Sequence, residues 1–329
     1  MENDPGKKGF VIPFNPATHR FIIFSDQHKG RKNGADDFMP AEKNYLNALM
    51  YYNKERFHLI SLGDCEELWE NTLLQVMNHN QRSFDAEKKF VGRNSFTKIV
   101  GNHDLDWEVD PLAPAFLKKI YGITVPIFQG IVLQTTVGEK TLKIFCTHGH
   151  QGDLQSDGNW FSKFFVTKIW APLQAYLRIN PNTPAYDQQL KTEHNRVMYQ
   201  WALQQHDLVL ITGHTHQPVF ASLTHFERLQ WQHRQALYEH NPQWAEALEN
   251  EMQWRSIEET QITEDYLNIK PVYFNTGCCC YSDGDITGIE IEDGYIRLIK
   301  WEETNGISQR TILQETKLES LINALSPVN

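Results

Sequence analysis

The chain has 329 residues, 40% of them apolar, and a formal net charge of -10. That is enough apolar sequence to bury a sizeable core in one large α/β domain or two ordinary ones. The acidic balance argues against an extended basic surface for a nucleic-acid backbone, so an anionic substrate would need positive charge supplied locally, for instance by metal ions. Met1 to Pro16 lacks the apolar core of a signal peptide, and no apolar run approaches the length of a membrane span. Five cysteines, with Cys278, Cys279 and Cys280 contiguous, do not form the spaced framework of a secreted disulfide domain. The expectation is a cytoplasmic protein with no transmembrane segment.

In chain order, Phe21-Ile22-Ile23-Phe24 reads as a short buried strand ending in Ser25-Asp26-Gln27-His28. Pro40 stands where a helix can start, and Tyr45, Leu46, Leu49, Met50 and Phe57 follow near helical spacing through Asn53. A second buried strand, His58 to Leu62, ends in Gly63-Asp64. After polar, helix-favouring sequence, the run from Phe96 to Val100 leads into Gly101-Asn102-His103-Asp104. Two strands broken at Gln129-Gly130 are expected between Ile123 and Thr136, then one from Thr141 to Cys146 ending in Thr147-His148-Gly149-His150. Gln151 to His206 is rich in helix formers and aromatic residues, and Leu208 to Ile211 is another buried strand, ending in Gly213-His214-Thr215-His216. Thr224 to Glu264 reads as surface helix or helical hairpin. The last strands are Val272 to Phe274, Ile286 to Ile291 and Tyr295 to Lys300, the last two joined through the turn signal Glu292-Asp293-Gly294. This rhythm predicts an α/β fold. A single domain over 1–329 is expected, with helical insertions at about 151–206 and 222–264 and a C-terminal hairpin and tail over 286–329.

Five apolar runs thus end in residues of ligand type: Asp26 with His28, Asp64, Asn102 with His103, His148, and His214 with His216. In open α/β sheets, sites form beyond the carboxyl ends of strands, so five such ends can converge on one place. Asp-x-His and His-x-His in extended chain put both side chains on one face, because strand side chains alternate. Each pair can then grip a metal from one side. Carboxylate, amide oxygen and imidazole without thiolate suit manganese, iron, zinc or similar ions better than a structural thiolate zinc site, and the ligand count implies two metals. Each piece also has a plain structural reading: Asp64 can cap the following helix, and His148 or His150 can be a satisfied polar residue at a strand end. Their joint occurrence favours a site.

The series Asp26-x-His28, Gly63-Asp64, Gly101-Asn102-His103-Asp104, Thr147-His148-Gly149-His150 and Gly213-His214-x-His216 resembles the full motif series of the calcineurin-like metallophosphoesterases. Asn275-Thr276-Gly277 resembles the turn that follows in many members. The resemblance implies a sandwich of two facing mixed β-sheets flanked by helices. It also implies Asp26, His28 and His216 on one metal and Asn102, His148 and His214 on the other, with Asp64 bridging and His150 a second choice to His148. Two divalent cations, manganese foremost and iron or zinc as alternatives, would lower the pKa of a bridging water so that hydroxide attacks phosphorus in line. The implied activity is hydrolysis of a phosphomonoester, phosphodiester or pyrophosphate. His103 is expected to protonate the leaving-group oxygen, oriented by either Asp104 or Glu67. Lys29, Arg31 and Lys32 read as a solvated basic loop, with contact to substrate phosphate as the alternative.

The run from Gly63 to Trp69 is similar to the corresponding stretch in the UDP-2,3-diacylglucosamine pyrophosphohydrolase branch, which makes hydrolysis of a lipid precursor an alternative. The insertion carries Trp160, Phe161, Phe164, Phe165, Ile169, Trp170, Leu173, Tyr176 and Leu177, with Lys163, Lys168 and Arg178 interspersed. This stripe reads as core or lid, with peripheral membrane contact as the other reading. The residue after Asn102 is His, where that branch places Arg, which favours a more ordinary phosphoesterase. The expected partner is a phosphorylated small molecule or a lipid-linked phosphate, with nucleic acid disfavoured by the charge. A non-catalytic scaffold holding a partner on residues 224–264 is the reading from another class, and it has no need of an acid at His103. The cysteine triplet, Cys65 and Cys146 read as buried apolar packing, because zinc motifs space their cysteines.

Overall fold

Strands buried on both faces organise the protein, and the computed structural model describes residues 9–150, 188–255 and 269–325. One sheet runs in the order β1 (Gly9–Pro13), β6 (Gly130–Val137), β7 (Lys140–Thr147), β8 (Leu208–Thr212) and β9 (Tyr273–Asn275). The other runs β12 (Ile307–Lys317), β11 (Tyr295–Thr304), β10 (Ile286–Glu292), β2 (Phe21–Phe24), β3 (His58–Leu62), β4 (Phe96–Ile99) and β5 (Ile127–Phe128). Both sheets are mixed. β2 to β5 are parallel while β10, β11 and β12 pair antiparallel; β7, β8 and β9 are parallel while β6 and β7 pair antiparallel.

The continuous apolar runs follow from two-sided burial. Phe21 and Ile23 of β2, Ile60 of β3, Ile144 of β7 and Val209 and Ile211 of β8 meet in one cluster between the sheets. Their alternates point outward, as the two-residue strand period requires. Ile22, Phe24 and Leu59 pack under Tyr45, Leu49 and Tyr52 of α1 (Glu42–Lys54). Leu208 and Leu210 pack under Met198, Trp201 and Ala202 of α6 (Gln188–Leu203). Each large apolar side chain taken fully out of water contributes roughly 1.5–3 kcal/mol, so a strand with no polar face gains on both sides. Met50 falls off the buried face of α1 and is 64% exposed, whereas Phe57 is buried just beyond the helix.

The remaining helices are α2 (Leu73–His79), α3 (Gln81–Val91), α4 (Asp106–Val109), α5 (Ala113–Tyr121), α7 (His225–Tyr238), α8 (Pro242–Arg255) and α9 (Leu318–Leu325). Helices α7 and α8 pack on each other through Leu229, Ala236, Ala245 and Leu248, and α7 starts from a capping box of Thr224 and Glu227. Of the two readings of that stretch, the hairpin is the one present. The turn Asp293-Gly294 has φ of 50° and 77°, as the tight hairpin between β10 and β11 demands.

Five elements go beyond the sequence expectation, two of them the helices α4 and α5 between the Asn102 turn and Ile123. The polar arm contributes β1, which pairs parallel with β6. Strand β12 and helix α9 follow β11, and β12 is mostly exposed, so no apolar run marks it. The aromatic stripe from Trp160 to Leu177 lies outside the described residues. No helix among the described residues is long and apolar enough to cross a membrane.

Candidate metal centre

Every candidate ligand stands just past the carboxyl end of a strand: Asp26 after β2, Asp64 after β3, Asn102 after β4, His148 after β7 and His214 after β8. The expected extended-chain geometry is not what brings the pairs together. Asp26, His28, Asp64, His214 and His216 all have positive φ, between 48° and 72°. Left-handed backbone costs a residue other than glycine roughly 1–3 kcal/mol, and here a ladder between turns holds it. The amides of Asp26 and His28 donate to the carbonyls of Gly63 and Asp64 at 3.0 and 2.9 Å, and the His214 amide donates to Asp26 Oδ2 at 3.0 Å. Asn275 Nδ2 donates to the Gly213 carbonyl at 2.7 Å, and Thr276 and Ser25 share a hydroxyl contact of 2.6 Å, so the Asn-Thr-Gly turn braces the first and last motifs. Glycine is needed at 101, where a Cβ would run into the Asp64 carboxylate.

The ligand atoms converge. Asp26 Oδ1 is 3.3 Å from His216 Nε2, His28 Nε2 is 3.2 Å from His216 Nε2, and His148 Nε2 is 3.0 Å from Asp64 Oδ2. Ions with N/O ligands at about 2.0–2.2 Å set neighbouring ligands about 2.8–3.1 Å apart in octahedral and about 3.3–3.6 Å apart in tetrahedral geometry, and these spacings run across the two. Asp26, His28 and Asp64 form one group with ligand atoms within 4.8 Å of one another, and Asp64, His148 and His214 form another. Asp64 belongs to both.

Several of these atoms are buried without a hydrogen-bond partner: Asp26 Oδ1, both amide atoms of Asn102, His148 Nε2 and both ring nitrogens of His214. The short approach of His148 Nε2 to Asp64 is not aligned as a hydrogen bond. A buried polar group left unsatisfied costs about 1–3 kcal/mol, and folded proteins rarely gather several at one point. The donor set of carboxylates, imidazoles and an amide oxygen therefore fits divalent cations. His148 Nδ1 lies 2.9 Å from the Leu62 carbonyl, which assigns a ring proton to Nδ1 and turns Nε2 toward the cluster as a candidate ligand atom.

Charge at the site is divided between its sides. Burial alone would lower His28, but its hydrogen bond to Glu67 and the carboxylates of Asp64 and Asp26 outweigh it and raise the imidazole to about 10. His148 is likewise buried yet raised to about 9 by Asp64 and Asp26. His214 goes the other way, well below its ordinary value, because burial is reinforced by His194 and His148. His150 is lowered to about 3 by burial and by His148. The carboxylates thus draw His28 and His148 toward protonation, while His214 and His150 are held toward the neutral form.

His103 lies beside this cluster. Its Nδ1 is 2.7 Å from Glu67 Oε2, the same oxygen that meets His28 Nδ1 at 2.9 Å, and the Trp69 ring stacks on it at 3.7 Å and 25°. Burial pushes Glu67 up, but the two imidazole hydrogen bonds prevail and hold it at about 2. Asp104 does not meet His103. Its carboxylate accepts from the backbone amides of Gly101 at 2.6 Å and Cys65 at 2.8 Å, and so ties the Asn102 turn to the Asp64 turn.

Lys29 corrects the basic-loop reading. It is fully buried, 2.6 Å from Glu87 and 3.2 Å from Glu66, and Lys98 meets Glu66 at 2.8 Å. Tyr45 and Tyr121 donate to Glu87, and Trp107 donates to Glu66 at 2.6 Å. This network under the His28 and Asp64 turns was missed, although a lysine inside the buried run from Phe96 to Val100 signals a buried partner. Lys32 pairs with Glu42, and Arg31 lines a cleft of about 280 Å³ with His28, Glu67, Glu70 and Asn71. Cys278 and Cys279 are buried, whereas Cys280 turns toward the site with Sγ 3.8 Å from His216 Nδ1.

A model of the family described as calcineurin-like phosphoesterase matches residues 19–218. Among solved structures, vacuolar protein sorting 29 from Cryptosporidium parvum is 12% identical, with 91% of this chain and 98% of that chain covered and a TM-score of 0.35. A dimetal phosphatase from Danio rerio is 8% identical, with 91% and 100% covered and a TM-score of 0.36. A single-site mutant of a cold-active protein tyrosine phosphatase is 10% identical, with 95% and 85% covered and a TM-score of 0.38. No curated protein matches.

Proposed function

Because the chain belongs to the calcineurin-like phosphoesterase family, we propose that it is a metal-dependent hydrolase of a phosphomonoester, phosphodiester or pyrophosphate bond. Asp26, His28 and His216 would hold one divalent cation and Asn102, His148 and His214 a second, with Asp64 between them. The observation that carries this reading is the set of buried ligand atoms with no hydrogen-bond partner, gathered around one shared carboxylate. When bound, the cations supply charge that neutralises phosphoryl oxygens and lowers the pKa of a water.

The chain's own residues do the rest. With Nδ1 held by Glu67, His103 presents Nε2 as the nitrogen that delivers a proton to the departing oxygen. Trp69 covers one face of the imidazole and fixes its plane. The cleft bordered by His28, Glu67 and Arg31 is the place for the remainder of the substrate. A scaffold has no use for an imidazole held by a carboxylate in this way, so the His103, Glu67 and Trp69 arrangement favours an enzyme. We read the chain as one domain of this fold, with manganese as the first ion to supply.

The test is hydrolysis of p-nitrophenyl phosphate and its bis ester by purified protein with added Mn2+. Turnover in the wild type that is abolished by chelation supports the reading. Absence of turnover on these and on a panel of phosphorylated compounds, in protein that binds two ions, would turn it toward a scaffold.

A further inference from the structure

The turn over residues 276–281 lies against the Asp26 and His216 side of the centre. The Cys279 amide donates to the Asp26 carbonyl at 3.1 Å, and the Tyr281 hydroxyl donates to the His216 carbonyl at 3.0 Å. Both recipients are among the residues held at positive φ. The third contact joins two side chains: Cys280 Sγ is 3.8 Å from His216 Nδ1, and Cys280, His216 and His28 form a group whose ligand atoms lie within 4.8 Å of one another.

The two nitrogens of the His216 ring have different surroundings. Nε2 faces the centre, 3.3 Å from Asp26 Oδ1 and 3.2 Å from His28 Nε2. Nδ1 faces the sulfur. An imidazole that binds a cation through Nε2 carries its proton on Nδ1, and the group accepting that proton fixes tautomer and ring plane. Sulfur is a weak acceptor as well as a weak donor, so the Cys280 thiol can take the ring proton while keeping its own.

We propose that Cys280 is a positioning residue for the cation position of Asp26, His28 and His216: its sulfur accepts the His216 Nδ1–H and presents Nε2 to the ion. This rests on the metal-centre reading above. It also separates the cysteine triplet into two roles, since Cys279 packs in the apolar cluster beneath α1 while Cys280 serves the site.

The experiment is calorimetric titration of Mn2+ into metal-stripped protein, with thermal unfolding followed in parallel. Wild type should bind two ions per chain. Cys280→Val, close in size but without an acceptor, should bind one of the two about 10–100-fold more weakly, the usual effect of losing the partner of a ligating histidine. Cys280→Ser keeps an acceptor and should recover most of that loss. Cys146→Ala, a thiol deletion in the core between the sheets, should lower the melting temperature without changing ion affinity. Wild-type protein that fails to bind two ions overturns the metal-centre reading itself. Two-ion binding in the wild type with unchanged affinity in Cys280→Val, or a serine variant as weak as the valine variant, overturns the positioning role alone. Should Cys280→Val fail to fold, Cys280→Ser decides, since a loss of about 10-fold or more would equal that of a missing acceptor and overturn the role.

Discussion

Replacing Glu66 by glutamine removes one charge from a network with no access to water. Glu66 Oε2 is 2.8 Å from Lys98 Nζ and 2.6 Å from Trp107 Nε1, and Oε1 is 3.2 Å from Lys29 Nζ. The amide would leave Lys29 paired with Glu87 alone and take from Lys98 its carboxylate at 2.8 Å, with Asp104 and Glu87 acting on it from farther off. Taking one partner from a buried pair costs about 3–5 kcal/mol. The titration behaviour gives a similar size. Burial pushes Glu66 up, but Lys98 and Lys29 prevail and hold it at about 2 against an ordinary 4.5, which corresponds to about 3 kcal/mol. The folded-state value is depressed, so this stability is fully present above pH 4.5 and is lost as pH falls toward 2. Urea unfolding of wild type, Glu66→Gln, Lys98→Met and the double variant forms a cycle. The double variant removes one charge of each sign and keeps an oxygen for Trp107, so it should recover most of the single-variant loss. A loss under about 1 kcal/mol in Glu66→Gln, or a double variant as unstable as the sum of the singles, would refute the reasoning.

Three further outcomes are expected. His103→Ala should lower kcat by about 10²–10⁴, the usual worth of a positioned acid, while calorimetry still finds two bound ions; equal turnover would remove the assigned role. Mn2+ at about 100 times its dissociation constant should stabilise the fold by about 2.7 kcal/mol per site, read as a rise in melting temperature that chelator reverses; a melting temperature indifferent to the ion would mean the orphaned atoms hold none. Gly101→Ala should lose both ion affinity and stability, because its Cβ collides with the Asp64 carboxylate; a variant with wild-type calorimetry would show that the turn yields more easily than its close contacts imply.

The candidate ligands could be read from the chain because each follows a run such as Phe21 to Phe24 or Leu208 to Ile211, whose burial on both faces leaves a continuous apolar signature. The backbone that aims them could not. Asp26-x-His28 has the same spacing in an extended strand and in a left-handed turn, and only the ladder to Gly63 and Asp64 selects the latter. The choice between Asp104 and Glu67 depended on which way the Asn102 turn faces, which is set by amides of Gly101 and Cys65 that no side-chain pattern reveals. Strand β12 did leave a signal in Asn305-Gly306, a two-residue hairpin turn with φ of 54° and 81°, but its exposed faces carry no apolar run. Lys98 was visible as a charge inside a buried strand, whereas Cys280 was hidden by two neighbours of the same residue type that face elsewhere.

The gathered side chains come from both halves of the sandwich. Asp26, His28, Asp64 and Asn102 extend from β2, β3 and β4, while His148, His214 and His216 extend from β7 and β8. A cation seated among them would cross-link layers whose described strands form two separate sheets, joining His28 and His216 across 188 residues of chain. Such a clasp could close only after the two layers have docked, so ion capture would mark the last stage of assembly.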